Sequence, residues 1–441
     1  MPIVFYSCIL LFLLCPSGLK ATDRSELEDA IQHVKKTGMD LNDPAILDHL
    51  LERAGETRLV LLGEASHGTS EYYTWRAEIS KRLIMEHGFD FIIVEGDWPV
   101  FFHVNAFVKH KREDDTDVHS VLSRFQRWPQ WMWANEEIRE LVNDLYDFNT
   151  EREAKQRAGL YGMDVYGYEK GMNQVLSFIE KADPENLRSL RNRYRCFSRY
   201  SDMQSYLQMV HQSGEHCGED IEWVRDYLEE QREVLIRHDS LGYVNARQNS
   251  RMAVYAERHI RANLEQGPAS WNHRADHFYD ATQQMLELYG SESKGIVWAH
   301  NTHVGDARAT EMRNVGMRNI GQLARENLGE EAVYIIGFGT YRGEVLAGRQ
   351  WEGRMEKMTI PPAVEQSYEY IMKQAGISPM LLAFDHPTEH RPLLNPRGNR
   401  AVGVVYQPEN DHRSNFVQTI LPVRYNAFIF FETTGALTPL E

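Results

Sequence analysis

The chain is poor in cysteine, in excess basic charge and in long apolar runs, and each shortage narrows what it can do. Four cysteines occur in 441 residues and none form a Cys-x-x-Cys pair, so the usual signature of zinc ribbons and dithiol redox sites is missing. A Gly-x-Ser-x-Gly elbow, a glycine-rich phosphate loop and a His-Glu-x-x-His pair are missing too. The net charge of -16 leaves nothing to neutralise phosphates in bulk, which excludes nucleic acid as a partner. That balance tolerates a neutral or cationic small molecule, and serves equally as a solvated acidic surface. Beyond the first residues, no stretch is apolar enough to span a membrane.

The exception is Val4–Cys15 (VFYSCILLFLLC), which is uncharged, too short to cross a bilayer and followed by small and polar residues up to Ala21. This reads as a secretory signal over residues 1–21, placing the mature protein in a secreted or periplasmic setting if it is cleaved and in the cytoplasm otherwise. Cys8 and Cys15 would leave with it. Cys196 and Cys217 remain, either bonded to each other in an oxidising compartment or present as two unpaired thiols.

Hydrophobic residues make up 42% and charged residues 25%, the balance of a globular protein. Leu27, Ile31 and Val34 mark a helix before the first strand, Leu59–Leu62. Thr69 or Ser70 caps a helix that Gly88 closes, and Phe91–Val94 is the next strand. Strand, helix, strand with short links predicts a parallel βαβ unit. From Asn105 to about Tyr289 the period is helical, with faces such as Ile138, Leu141, Val142, Leu145 and Val175, Leu176, Ile179. One strand, Gly159–Asp164, interrupts it. Arg188–Gly267 reads as a helical lobe. Strands resume at Ile296–Ala299 and Ala332–Phe338, with late ones at Ala401–Tyr406 and Ala427–Phe431. The expected fold is α/β: one domain over 22–441, with a mainly parallel sheet core in 40–104 and 290–441 and a mostly helical insertion at about 105–289.

Three apolar strands run straight into titratable residues: Glu64 and His67, then Glu95 and Asp97, then His300 and His303. In a parallel sheet the carboxyl ends share one edge, where ligands bind, so the two glutamates and three histidines are expected in one cleft. Glu64 and His67 sit in a turn flanked by Gly63 and Gly68; the bland alternative is that they only tie down a loop. A single histidine after a strand is commonly a satisfied core residue, and His300 with His303 divides evenly between that and function. Glu95 follows four apolar residues and needs a partner, a histidine or an arginine. Arg76 either turns to the sheet edge and pairs with such a carboxylate or lies on the surface. Asp164 carries the weakest case. With no serine elbow, a histidine acting as general base on water suits these groups best.

Gly63–Gly68 (GEASHG) with Thr69-Ser70-Glu71, Glu95–Pro99 (EGDWP), Trp131–Asn135 (WMWAN), Gly162-Met163-Asp164, Trp298–His303 (WAHNTH) and Phe430–Leu440 together resemble the erythromycin esterase family, from about residue 40 onward. The resemblance implies an α/β core with a helical lobe over the cleft, and a hydrolase that opens a macrolactone ester without a covalent serine intermediate. It implies His67 as the base, Glu64 and Glu95 as orienting groups, and Arg76, His300 and His303 as groups that bind and polarise the ester carbonyl. The partner is then a small-molecule ester, the protein a monomer, and no cofactor is expected. Trp98, Phe102 and Trp131 either line an apolar cleft for a macrocycle, beside Asp164, or pack between core and lobe. The rival functions are a metal-dependent hydrolase that uses the same five glutamate and histidine side chains as ligands, and a non-catalytic secreted binding protein of the same fold.

Overall fold

The computed structural model describes residues 21–111, 117–200 and 202–440; the apolar segment Val4–Cys15 lies outside them. Eleven strands are described: β1 (Met39–Asp40), β2 (Leu59–Leu62), β3 (Phe91–Asp97), β4 (Gly159–Asp164), β5 (Gly295–Trp298), β6 (Val333–Gly348), β7 (Met355–Ile360), β8 (Met380–Ala383), β9 (Arg397–Arg400), β10 (Phe416–Thr419) and β11 (Ala427–Thr434). Nine form one sheet in the order β1-β8-β11-β6-β2-β5-β3-β4, with β7 attached to β6. From β11 to β4 every neighbouring pair is parallel, and β8 and β1 close the far edge antiparallel. The expected parallel relation of β2 and β3 holds, but β5 lies between them, so Glu64, Glu95 and the residues after Trp298 end on adjacent strands.

Alternation within each strand separates two cores. Val60, Leu62, Ile92, Val94, Ile296 and Trp298 face the helices Pro44–Gly55, Ser70–His87, Trp98–Val108 and Glu136–Thr150. Leu59, Leu61, Phe91, Ile93 and Val297 face Ala21–Thr37, Ala269–Tyr289, Ile320–Leu328 and Tyr368–Ala375. Covering both faces is why these strands read as continuous apolar runs rather than alternating ones. Between Asp164 and Gly295 the described residues hold helices and no strand. Many of these helices pack on a cluster of their own that includes Val175, Ile179, Leu190, Ile221, Val224 and Ala253, and Leu176 is only partly buried beside it. Cys196 and Cys217 are bonded, with Cα atoms 5.6 Å apart, which decides between the two alternatives for that pair. No described helix is long and apolar enough to cross a membrane.

Two expectations fail for local reasons. Ala401–Tyr406 is not a strand. Its backbone is divided between two loops, Val402 donating to the Ala65 carbonyl at 2.7 Å and the Val404 carbonyl accepting from Gly348 at 2.9 Å, so no ladder forms. β8 went unpredicted because Met-Leu-Leu-Ala has no β-branched residue to mark it.

The loop after β2 is held from both sides. The Gly68 carbonyl accepts from Leu346 of β6 and from Leu437, each at 3.0 Å. A Cβ at Gly68 would lie 2.0 Å from the Leu346 carbonyl oxygen, so glycine is required by close approach. Helix Ser70–His87 then starts at Thr69, whose side chain does not cap it; the hydroxyl pairs with Ser66 instead. Capping comes from afar. Ser70 donates to the Gly435 carbonyl at 3.0 Å, and Glu71 accepts from the Gly435 amide at 2.8 Å. Segment 435–440 continues along this edge, the Thr438 carbonyl accepting from Glu136 at 2.9 Å and Leu440 donating to Ala134 at 3.0 Å.

Candidate active site

Glu64 follows β2 and is 1% exposed, which demands that both carboxylate oxygens be matched. Oε1 meets His67 Nδ1 at 2.8 Å, and Oε2 accepts from Arg76 Nη2 at 2.6 Å. An ionised carboxylate only accepts, so His67 donates from Nδ1 and Nε2 keeps the lone pair that a general base needs. The Tyr73 hydroxyl donates to the His67 carbonyl at 3.1 Å and holds the turn. Burial pulls the His67 pKa down, but the Glu95 charge and the bond to Glu64 outweigh it and leave the group above its ordinary 6.5.

Arg76 takes the first of its two expected places, paired with the strand-end carboxylate of Glu64. It is fully buried, so it is not a surface arginine, and its guanidinium is sandwiched between Tyr73 and Trp298 at 4.5 and 4.6 Å. Enclosed there it holds Glu64.

His300 places its ring 4.9 Å from that of His67. Its backbone amide donates to Glu95 Oε2 at 2.9 Å. Nδ1 accepts from the Thr302 amide at 3.3 Å, so in the neutral ring the proton sits on Nε2. That nitrogen is buried without an ordinary hydrogen bond, beside the Ala65 carbonyl. Burial, then the nearby His67, holds His300 well below 6.5 and hence neutral.

Glu95 ends β3 in the same cluster. Its Oε1 accepts from Arg274 Nη2 at 2.7 Å, and Asp164 takes the same guanidinium through two bonds of 2.9 and 2.7 Å. Arg274 Nη1 donates to His303 Nε2 at 2.9 Å, while Trp271 stacks on the His303 ring at 4.4 Å. His303 is lowered to about 4, by burial first and the Arg274 charge in support, against the pull of Glu95. Burial works to raise Glu95, but in the acid range the cations at His303, Arg274 and His67 hold it well below the usual carboxylates. Asp164 is lowered likewise, Arg274 overcoming its burial.

The strand-end residues expected in one cleft are therefore brought together: Glu64, His67, Glu95, His300 and His303, with Asp164 behind them. Asp97 stands apart, paired in two bonds of 2.7 Å with Arg127. Asp164 spends both oxygens on Arg274, so the structure makes it a support rather than a substrate ligand. The aromatic candidates also resolve toward packing. Trp98 is 1% exposed, stacks on Tyr161 at 5.4 Å and donates to Asn245 at 2.9 Å. Trp131 and Phe102 are buried as well.

Sequence reasoning missed Arg274, the hub of the cluster. It lies 110 residues from Asp164 and 179 from Glu95. The available hint was helical spacing: Trp271, Arg274 and Phe278 share one face of Ala269–Tyr289, an arginine between aromatics on a buried helix. Among the described residues no group of three or more His, Cys, Asp or Glu side chains is arranged to hold a metal ion. A metal at Glu95 or Asp164 would have to displace Arg274.

YbfO of Bacillus subtilis (strain 168), which bears the name "Putative hydrolase", is 21% identical over 395 residues, covering 85% of this chain and 83% of its own. A solved structure from Bacillus cereus superposes with a TM-score of 0.78 at 18% identity, covering 94% of this chain and 99% of that one. A mutant of the erythromycin esterase EreC, in its open conformation, superposes with a TM-score of 0.63 at 18% identity, covering 92% and 96%. The family model for erythromycin esterase matches residues 84–434. Family and relatives point to a hydrolase, and the chain belongs to the erythromycin esterase family.

Proposed function

We propose that the protein hydrolyses a carboxylic ester through water activated by His67, and that the ester is the macrolactone of an erythromycin-type antibiotic. The observation that carries the chemistry is the Glu64–His67 pair facing a neutral His300, with ring centroids 4.9 Å apart. One imidazole presents a lone pair and the other an N–H, the two functions that water attack on a carbonyl requires. Water adds to the ester carbon and its proton passes to His67 Nε2. The carbonyl oxygen becomes an oxyanion facing the His300 Nε2–H. As the tetrahedral intermediate collapses, the C–O bond to the alcohol breaks and His67 returns the proton to the leaving oxygen. No bond to the protein forms. In this reading the protein acts as a monomer after export, with the helical segment between β4 and β5 over the carboxyl edge of the sheet.

The test is incubation of the protein with a panel of macrolides, with and without a chelator, read by mass spectrometry. The expected product has gained one water, chelator or not. No gain with any macrolide would overturn the macrolactone substrate. Loss of turnover in the chelator, restored by a divalent ion, would favour the metal-dependent rival.

A pH profile tests the base. His67 acts neutral and its pKa stands above 6.5, so kcat/KM falls as pH drops through a single ionisation above 6.5. Glu64→Gln removes a group that raises this pKa, so the surviving activity should show that limb at lower pH. A limb that stays in place would remove His67 as its source.

A further inference from the structure

One feature near the catalytic cluster has no part in the chemistry above. Among the described residues Trp351 is the only aromatic side chain in the set of large hydrophobics left exposed, at 50%. An indole held half in water forgoes much of the stabilisation its area offers, and such a group commonly marks a binding surface. Its setting is built. Trp351 lies in the connection between β6 and β7, and this turn is tied to Trp128, whose Nε1 donates to the Gly353 carbonyl at 3.0 Å. Glu352 beside it has φ +56°, a left-handed conformation that a non-glycine residue adopts at a cost and that tight local geometry must enforce.

The turn stands next to the reactive groups. β6 carries Leu346, bonded to the loop of His67 through Gly68. The Trp351 ring lies 4.8 Å from Trp128 and 6.1 Å from Tyr166. Tyr166 in turn faces the guanidinium of Arg274 at 5.3 Å, and Arg274 touches Glu95 and His303. An aromatic wall thus leads from the catalytic cluster to solvent, while the reacting groups themselves are buried.

We infer that Trp351, backed by Trp128 and Tyr166, is a specificity platform that stacks on a ring in the non-reacting part of the ester substrate. This rests on the ester-hydrolase reading and adds to it where the bulk of the substrate lies. Binding energy from such a remote group is used to hold the scissile carbonyl at His67, so it favours large ring-bearing esters over small ones.

The experiment compares wild type, Trp351→Ala and Trp351→Phe on erythromycin and on 4-nitrophenyl acetate. The readout is the ratio of the two kcat/KM values, which a general loss of folded protein does not move. The expected ratio falls by about tenfold in Trp351→Ala and is largely restored in Trp351→Phe, which keeps a ring. A ratio within about twofold of wild type in Trp351→Ala, with erythromycin still hydrolysed, overturns the platform and leaves the hydrolase reading standing. If wild type leaves erythromycin intact, the macrolactone reading fails and binding decides the platform. Saturable quenching of tryptophan fluorescence by erythromycin, present in wild type and lost in Trp351→Ala, supports it, and no quenching in wild type overturns it.

Discussion

Replacing His67 by asparagine is expected to lower kcat by roughly 10³-fold while the protein stays folded. The asparagine amide can still donate toward Glu64, and Glu64 keeps its 2.6 Å bond to Arg76, so no buried charge is left without a partner. What is lost is the nitrogen that takes the proton from water in the proposed reaction. The measurement pairs steady-state hydrolysis with a thermal melt of the same preparation. Turnover within about tenfold of wild type would transfer the base to another group. His300 is a poor substitute, because it is held well below 6.5 and accepts from Thr302 through Nδ1.

The second large effect is on stability. Arg274→Met should destabilise the fold by about 3–5 kcal/mol, because it removes the cation from two buried carboxylates at once. Glu95 and Asp164 are 6% and 4% exposed, and Arg274 supplies three of their hydrogen bonds. Lysine should not rescue it, since a point charge cannot grip Asp164 with two parallel bonds and also reach Glu95 and His303. Adding Asp164→Asn to Arg274→Met should recover part of the loss, because one of the orphaned charges disappears. Urea unfolding of the three variants reads this directly. A loss below about 1 kcal/mol for Arg274→Met would mean that the carboxylates find other partners or take up protons at little cost.

These two residues also show how far the sequence could be read. His67 was legible because a strand, a glycine-flanked turn and a titratable side chain are contiguous, and contiguity is what local patterns report. The three carboxyl-edge motifs were legible as one site because parallel strands align their ends, a rule that needs no distances. Arg274 was not, since its partners are on β3 and β4 and its helix is far along the chain; only the fold brings them within bonding range. Arg76 was legible only in part. Helical spacing left it at the sheet edge or in the solvent, and the fold pairs it with Glu64 and encloses it between Tyr73 and Trp298. Trp98 and Trp131 sit in motifs that look like a cleft lining, and sequence cannot tell a wall that faces a ligand from one that faces a neighbouring helix.

The bonds from segment 435–440 to Gly68 and Ser70 carry a consequence for how the protein comes into being. The loop that bears His67 follows the second strand in chain order, yet two of the bonds that fix it come from Gly435 and Leu437, far downstream. β2, too, waits for β5 and β6, the strands on either side of it. Local contacts cannot complete this region, so its assembly is slow in the sense that long loops must close before any gain is returned. A nascent chain that already contains Glu64, His67, Glu95 and both later histidines still lacks the fastening at Gly68 until Leu437 is free to reach it. The His67 loop thus gains this fastening only after residue 437 has been added, and a chain interrupted before it is expected to be inert rather than partly active.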